Sequence, residues 1–277
     1  MGWSAPSVTE PIRTATDFRR GEDIESEPLM RTGVKLFDLQ VKLELYVMRP
    51  DLRGIFVTGT DTGVGKTWVA AHLIRDLHGQ VPEVRPLKPV ESGCVAIDGA
   101  SGEELRAEDA EALREAAQLA KTEPVVRYKL RTPIAPMLAA RQEGVEYRLQ
   151  DLVDFCRREE LLVIEGAGGW RTPLAEDGDV QALASELGLP VLVVAEDRLG
   201  AINQALLTCE AVQKSHCQLA GVILNQLRPG TGDFGNLPVL ESRLGEIPVW
   251  QTRHEQWLDE KQARHLMATF VTTPVGC

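Results

Sequence analysis

Residues 54–77, GIFVTGTDTGVGKTWVAAHLIRDL, dictate the order strand, phosphate loop, helix. Ile55, Phe56, Val57 and Thr58 are apolar or β-branched and read as a short buried strand. A Gly/Thr/Asp-rich loop interrupts it, and an apolar-periodic helix begins near Gly65. The glycines let backbone N–H groups approach an anion, and the helix N-terminus adds its positive dipole end. Lys66 can reach terminal phosphates and the Thr67 hydroxyl suits Mg²⁺, so a nucleoside triphosphate is the natural ligand. The common pattern G-x-x-x-x-G-K-[ST] would put a glycine where this chain has Thr60; its glycine stands one residue earlier, at Gly59. The alternative is an ordinary βα turn, against which stand Lys66 and Thr67 together in the first helical turn.

The residues that follow extend the pattern. A second short strand over 84–87 leads into RPLKPVESGC, and a parallel strand there would deliver Lys88 at its C-terminal edge, beside the phosphate loop. Pro89 and the Ser92-Gly93 pair then predict a turn. Residues 98–121 start Gly-rich and become a helix with Glu108 and Asp109 near its start, where acids are favoured by the dipole. Pro133 and Pro136 pin the backbone ahead of a helix over 137–142, and 149–158 reads as an amphipathic helix. The run LLVIEGAGGW, 161–170, is an apolar strand ending in an acid and a glycine-rich turn, with Glu165 placed to hold Mg²⁺. Further strands at 190–195 and 219–224 alternate with helices at 180–187, 201–214 and 237–244. A loop over 228–238 and a last surface helix over 255–270 complete the chain. Apolar, non-alternating strands separated by helices predict an α/β fold of P-loop NTPase type, a mostly parallel sheet with helices on both faces.

Length and charge narrow the function. The 277 residues are 43% hydrophobic, enough for a substantial core. A formal net charge of -11 argues against a general nucleic-acid or anionic-membrane binder, while leaving a local anion pocket untouched. No apolar run approaches the ~18 residues of a membrane span, and the first residues lack the apolar core of a secretory signal, so the cytoplasm is the expected compartment. Cys94, Cys156, Cys209, Cys217 and Cys277 show no C-x-x-C spacing, and the histidines are scattered; neither a disulfide framework nor a zinc site is indicated. Residues 1–32 are polar and aperiodic, a tail. Leu39, Val41, Leu43, Leu45 and Val47 alternate with Gln40, Lys42, Glu44 and Tyr46, predicting a half-buried edge strand. The expected organisation is an N-terminal extension over 1–50 and a nucleotide-binding domain over 51–277; a start at Met48 is the competing reading of the extension.

Five spaced motifs together resemble one family. VTGTDTGVGKT at 57–67, KPVESG at 88–93, EGAGGW followed by TPL at 165–174, LGAIN at 199–203 and GEIP at 245–248 occur in the order found in dethiobiotin synthetases. The resemblance implies ATP-dependent closure of a cyclic urea on 7,8-diaminononanoate with CO₂. It assigns nucleotide binding to Thr62, Gly63, Val64, Gly65, Lys66, Thr67 and Asn225, with Asn225 reading adenine. Mg²⁺ falls to Thr67, Asp109 and Glu165. Lys66, Lys88 and Ser92 are the catalytic set, and substrate falls to Thr60, Lys88, Ser92, Gly168, Gly200, Ala201, Ile202 and Asn203. The chain departs from the family at Gln226, where relatives have an acid, and at Gly63, where some have Glu. The LGAIN-like stretch, with first-turn amides of Ala201, Ile202 and Asn203 open to the substrate carboxylate, comes from a second subunit in the family, so a homodimer is implied. Two alternatives are a related amidoligase, which would carry a glutamine-hydrolysing domain for which this chain is too short, and a switch ATPase, which would carry lysine where this chain has Asp61.

Overall fold

A computed structural model describes residues 52–271 apart from positions 79, 82, 100–101 and 230–233, all within one unit. The predicted strand over 39–47 and the Met48 question lie outside the described residues. The chain runs β1 (Arg53–Gly59), α1 (Lys66–His78), β2 (Val84–Ser92), a hairpin of β3 (Val95–Gly99) and β4 (Gly102–Arg106), α2 (Glu108–Ala116), β5 (Val126–Leu130), α3 (Pro136–Glu143) and α4 (Leu149–Cys156). It continues through β6 (Leu161–Gly169), a small β7 (Pro173–Ala175) and β8 (Gly178–Asp179) pair, α5 (Val180–Leu187), β9 (Val191–Glu196), α6 (Ala201–Lys214), β10 (Leu219–Asn225), α7 (Asn236–Leu244), β11 (Val249–Thr252) and α8 (Glu260–Val271).

Seven strands form one sheet in the order β11-β10-β9-β1-β6-β2-β5, every adjacent pair parallel. The apolar strand runs are explained by burial on both faces. Phe56, Leu162, Ile164 and Val193 point into one core with Leu152, Leu183 and Ala205. Their neighbours Ile55, Val57, Val163 and Leu192 point into the other with Leu73, Leu113 and Leu266. Each such fully buried side chain contributes roughly 1.5–3 kcal/mol. Helix ends carry local signals. Asp179 accepts from the Ala182 amide at 2.9 Å to start α5, and Gly188, at φ 68, ends it.

Three expectations need correction. Pro89 does not turn the chain, and β2 continues to Ser92. Pairing of β2 with β6 ends at Leu87 and pairing with β5 begins at Lys88, whose amide donates to Val125 O. By the two-residue strand period, Pro86 faces β5 before that ladder starts and Pro89 faces β6 after that ladder ends, so neither lacks a needed donor. The region 98–121 is not mainly helix: a hairpin fills its beginning and the helix occupies Glu108–Ala116 only. Strands β5 and β11, at the two edges, bring the five strands expected within the described residues to a sheet of seven.

Candidate active site

The strands open at their C-terminal ends onto a cleft of about 1000 Å³. The first wall is the phosphate loop. Its sharp return needs glycine at 65, where φ is +89, and a side chain there would meet Asn225 Nδ2 at 2.0 Å. Asn225 is buried, donates to the Val64 carbonyl at 3.0 Å and accepts from the Thr252 hydroxyl at 2.8 Å. It therefore clamps the loop to the ends of β10 and β11. Lys66 opens α1 and its ammonium donates to the Asp61 carbonyl at 2.9 Å. Burial, followed by repulsion from Lys88, pushes its pKa down to about 8.

At the floor, four elements meet. Lys88 Nζ, from β2, lies 2.5 Å from Glu165 Oε1 on β6 and 2.6 Å from Asp109 Oδ2 at the start of α2. The Thr67 hydroxyl donates to the same Glu165 oxygen at 3.0 Å. Burial works against the Lys88 charge, but the two carboxylates outweigh it and hold the group firmly as an ammonium. Burial likewise pushes Glu165 upward against the pull of Lys88. For Asp109 the attraction of Lys88 overcomes desolvation and holds the carboxyl below its usual range. The Glu165 side chain is 1% exposed and that of Asp109 41%, so desolvation weighs more heavily on Glu165.

Thr67, Asp109 and Glu165 fit a hard cation. Glu165 Oε2 and Thr60 Oγ1 are buried without a hydrogen-bond partner, the condition expected of groups that complete their bonding with a ligand. Two carboxylates and a hydroxyl suit Mg²⁺, which takes few protein ligands and shares substrate phosphates. No group of three or more His, Cys, Asp or Glu converges into a metal cage among the described residues.

Thr60, Thr62, Gly63, Ser92 and Gly168 line the same cleft as Lys66 and Lys88. Gly168, at φ +68, is held where any Cβ would meet Thr172 Oγ1 at 2.5 Å, and the adjacent Gly169 amide donates to that hydroxyl. Val64, a buried residue of the loop, and Asn225 are not among the lining residues. Gly200, Ala201, Ile202 and Asn203 are not among the cleft-lining residues; Gly200, at φ 94, precedes α6. The Ala201 amide donates to Arg198 O at 3.1 Å, which corrects its expected role as an open donor. Gln226 accepts from the His254 amide through Oε1 at 3.3 Å. Sequence reasoning gave no role to Glu91, a cleft residue inside KPVESG: it is buried at 6% exposure, and its carboxylate accepts the amides of Asp109 at 3.0 Å and Ala110 at 2.9 Å. Contacts across so many residues leave no local pattern to read.

A family model described as an AAA domain matches residues 53–258. The ATP-dependent dethiobiotin synthetase BioD of Anaeromyxobacter dehalogenans strain 2CP-C is 41% identical over 201 residues, covering 71% of this chain and 86% of the relative. The protein of the same name from Ruthia magnifica is 37% identical over 179 residues, covering 64% and 82%. Among solved structures, a ParA family ATPase from Chlorobium tepidum TLS aligns with a TM-score of 0.44 at 14% identity, covering 79% of this chain and 91% of that one, a likeness that carries no functional argument.

Proposed function

The chain belongs to the ATP-dependent dethiobiotin synthetase family and makes dethiobiotin in biotin biosynthesis; within that activity we propose the following division of labour among its residues. One amine of 7,8-diaminononanoate attacks CO₂ and loses a proton, giving a carbamate. A carbamate oxygen attacks the γ-phosphorus of ATP and displaces ADP, forming a carbamic-phosphoric anhydride. The second amine then attacks the carbonyl carbon, loses a proton and expels phosphate as the ring closes. Each step creates or moves negative charge, so positioned cations dominate the catalysis.

Lys66, with the amides of Thr62, Gly63, Val64, Gly65 and Thr67, cradles the phosphates. Lys88 neutralises the carbamate and the transferring phosphoryl group. Because Glu165 and Asp109 hold it as an ammonium, it serves as a fixed charge and not as a proton carrier. Ser92 hydrogen-bonds at the reacting nitrogen or carbamate, with Thr60 and Gly168 lining the same space. Thr67, Asp109 and Glu165 hold Mg²⁺, which supplies charge neutralisation at the phosphates. The observation that carries this reading is the convergence of Thr67, Lys88, Asp109 and Glu165 within hydrogen-bonding distance at the mouth of the phosphate loop.

The reading also includes a homodimer, with Gly200, Ile202 and Asn203 of one subunit receiving the substrate carboxylate at the site of the other. In support, these residues lie outside the cleft of their own chain, and Leu199 beside them is a large apolar side chain exposed at 84%. Residues 51–277 form the catalytic domain, acting in the cytoplasm; no helix among the described residues is long and apolar enough to cross a membrane. Nucleic acid has no place in this scheme.

The test is product formation followed by mass, with diaminononanoate, bicarbonate, Mg²⁺ and ATP supplied together and each omitted in turn. Dethiobiotin should form only in the complete mixture. Folded protein that makes none would refute the assignment, and a fully active monomer by light scattering would refute the shared site.

A further inference from the structure

Helix α2 delivers Asp109 to the site, yet nothing in its own N-terminal turn caps it. The N-cap position is Ala107, in extended backbone geometry and with no side-chain hydrogen bond to offer. A helix start leaves its first amides unpaired, and a capping oxygen normally satisfies those at the second or third helical position. Here these are Asp109 and Ala110, and both donate to Glu91, one to each carboxylate oxygen, at 3.0 and 2.9 Å. Glu91 belongs to β2, the strand that also carries Lys88. One strand therefore holds Asp109 twice: Glu91 holds its amide, and Lys88 holds its carboxylate at 2.6 Å. The negative carboxylate at the positive helix end adds a favourable dipole interaction.

We propose that Glu91 is a positioning residue, which caps α2 from a distance and thereby fixes the Asp109 carboxylate at the metal-binding position. The inference rests on the reading that Asp109 holds Mg²⁺. It excludes a direct contact between Glu91 and substrate as the reason for its importance, although Glu91 lines the cleft.

Ala107 offers a clean test, because a serine there would place a capping hydroxyl within reach of the same two amides. The variants are Glu91→Ala, Glu91→Ala with Ala107→Ser, Glu91→Gln and Asp109→Asn. Mn²⁺ binding in the presence of ADP is measured by electron paramagnetic resonance, alongside thermal midpoints and KM for diaminononanoate. Glu91→Ala should weaken Mn²⁺ binding about tenfold, in the range typical of groups that orient metal ligands. The double variant should recover to within about threefold of the parent, because the cap is restored without the carboxylate. Glu91→Gln keeps one acceptor and should fall between; it carries the test if Glu91→Ala does not fold. KM for diaminononanoate should stay unchanged. A recovered thermal midpoint without recovered Mn²⁺ binding overturns the proposal, as does a raised KM for diaminononanoate with unaltered Mn²⁺ binding. Unaltered Mn²⁺ binding in Asp109→Asn would instead refute the metal role of Asp109. Weakened binding there, with parental binding in both Glu91 variants, would overturn the proposal alone.

Discussion

Replacing Glu165 by glutamine removes one charge from the floor of the cleft while nearly preserving shape, and its effects on stability and turnover should separate. At the 2.5 Å separation from Lys88 Nζ, Coulomb attraction at an effective dielectric constant of 20 is roughly 7 kcal/mol before costs. Against it stands the desolvation of a fully buried carboxylate, several kcal/mol. The upward push on Glu165 shows burial prevailing at that group. Lys88 also keeps Asp109 at 2.6 Å, and the glutamine oxygen can still accept from it. The expected net loss is about 1–2 kcal/mol, well below the 3–5 of an ion pair broken outright. For a domain of this size that lowers the thermal midpoint by about 2–8 °C. Turnover should fall more than about tenfold, because a loss of only ~1.4 kcal/mol of transition-state stabilisation already gives that factor. The assay is the initial rate of dethiobiotin formation at saturating Mg²⁺ and ATP, well below the variant's midpoint. A rate within about twofold of the parent would refute the reasoning and leave Glu165 as a structural holder of Lys88.

Lys66, with a pKa of about 8, should regain its proton when phosphates arrive, so nucleotide binding takes up about half a proton at pH 8 and close to one at pH 9. The sign follows from a base depressed in the free protein and raised in the complex: affinity weakens as pH rises above 8, and calorimetry in buffers of different ionisation enthalpy reads the uptake, which Lys66→Arg should abolish. Asn225→Ala leaves the Val64 carbonyl and the Thr252 hydroxyl without these partners, so the thermal midpoint should drop, by about 2 kcal/mol in stability terms, while KM for ATP rises. A change in base preference at unaltered stability would show that the clamp is unimportant. Asn203→Ala should raise KM for diaminononanoate and leave that for ATP nearly unchanged; equal increases in both would remove the remote carboxylate site.

The strands that carry the chemistry were legible because they are buried on both faces. Ile55 to Thr58, the residues before Glu165 and the strands over 190–195 and 219–224 are continuous apolar runs that few other structures can use. Edge strand β5 was missed for the opposite reason, and β11, with Val249 and Trp250 buried on opposite faces, because it is only four residues long. In β5, Val126, Tyr128 and Leu130 alternate with Arg127 and Lys129, a signal that was present but brief. The hairpin of β3 and β4 exposes Val95 and Ile97 and packs Leu105 against the core, too little for a pattern to be read. The site divides similarly. Lys66, Thr67, Lys88 and Glu165 follow from strand-end placement, whereas Glu91 acts on amides far along the chain. Ala201 shows the limit of assigning open donors from a helix start, since a preceding turn already uses its N–H.

The β3–β4 hairpin hangs between two points that are tied to each other directly. Glu91, just before it, grips the amides of Asp109 and Ala110, just after it. The position of Asp109 is therefore transmitted through hydrogen bonds across the gap, and the hairpin serves as a covalent detour. Its own moorings, Lys129 to the Leu105 carbonyl and Arg131 to Glu103, lie on the edge strand and the residue after it. Lengthening such a detour costs little, about 0.6 kcal/mol for each doubling. This makes the hairpin a natural port for insertions, tags or grafted loops. The hairpin can be rebuilt by mutation or design while the floor of the cleft stays in place.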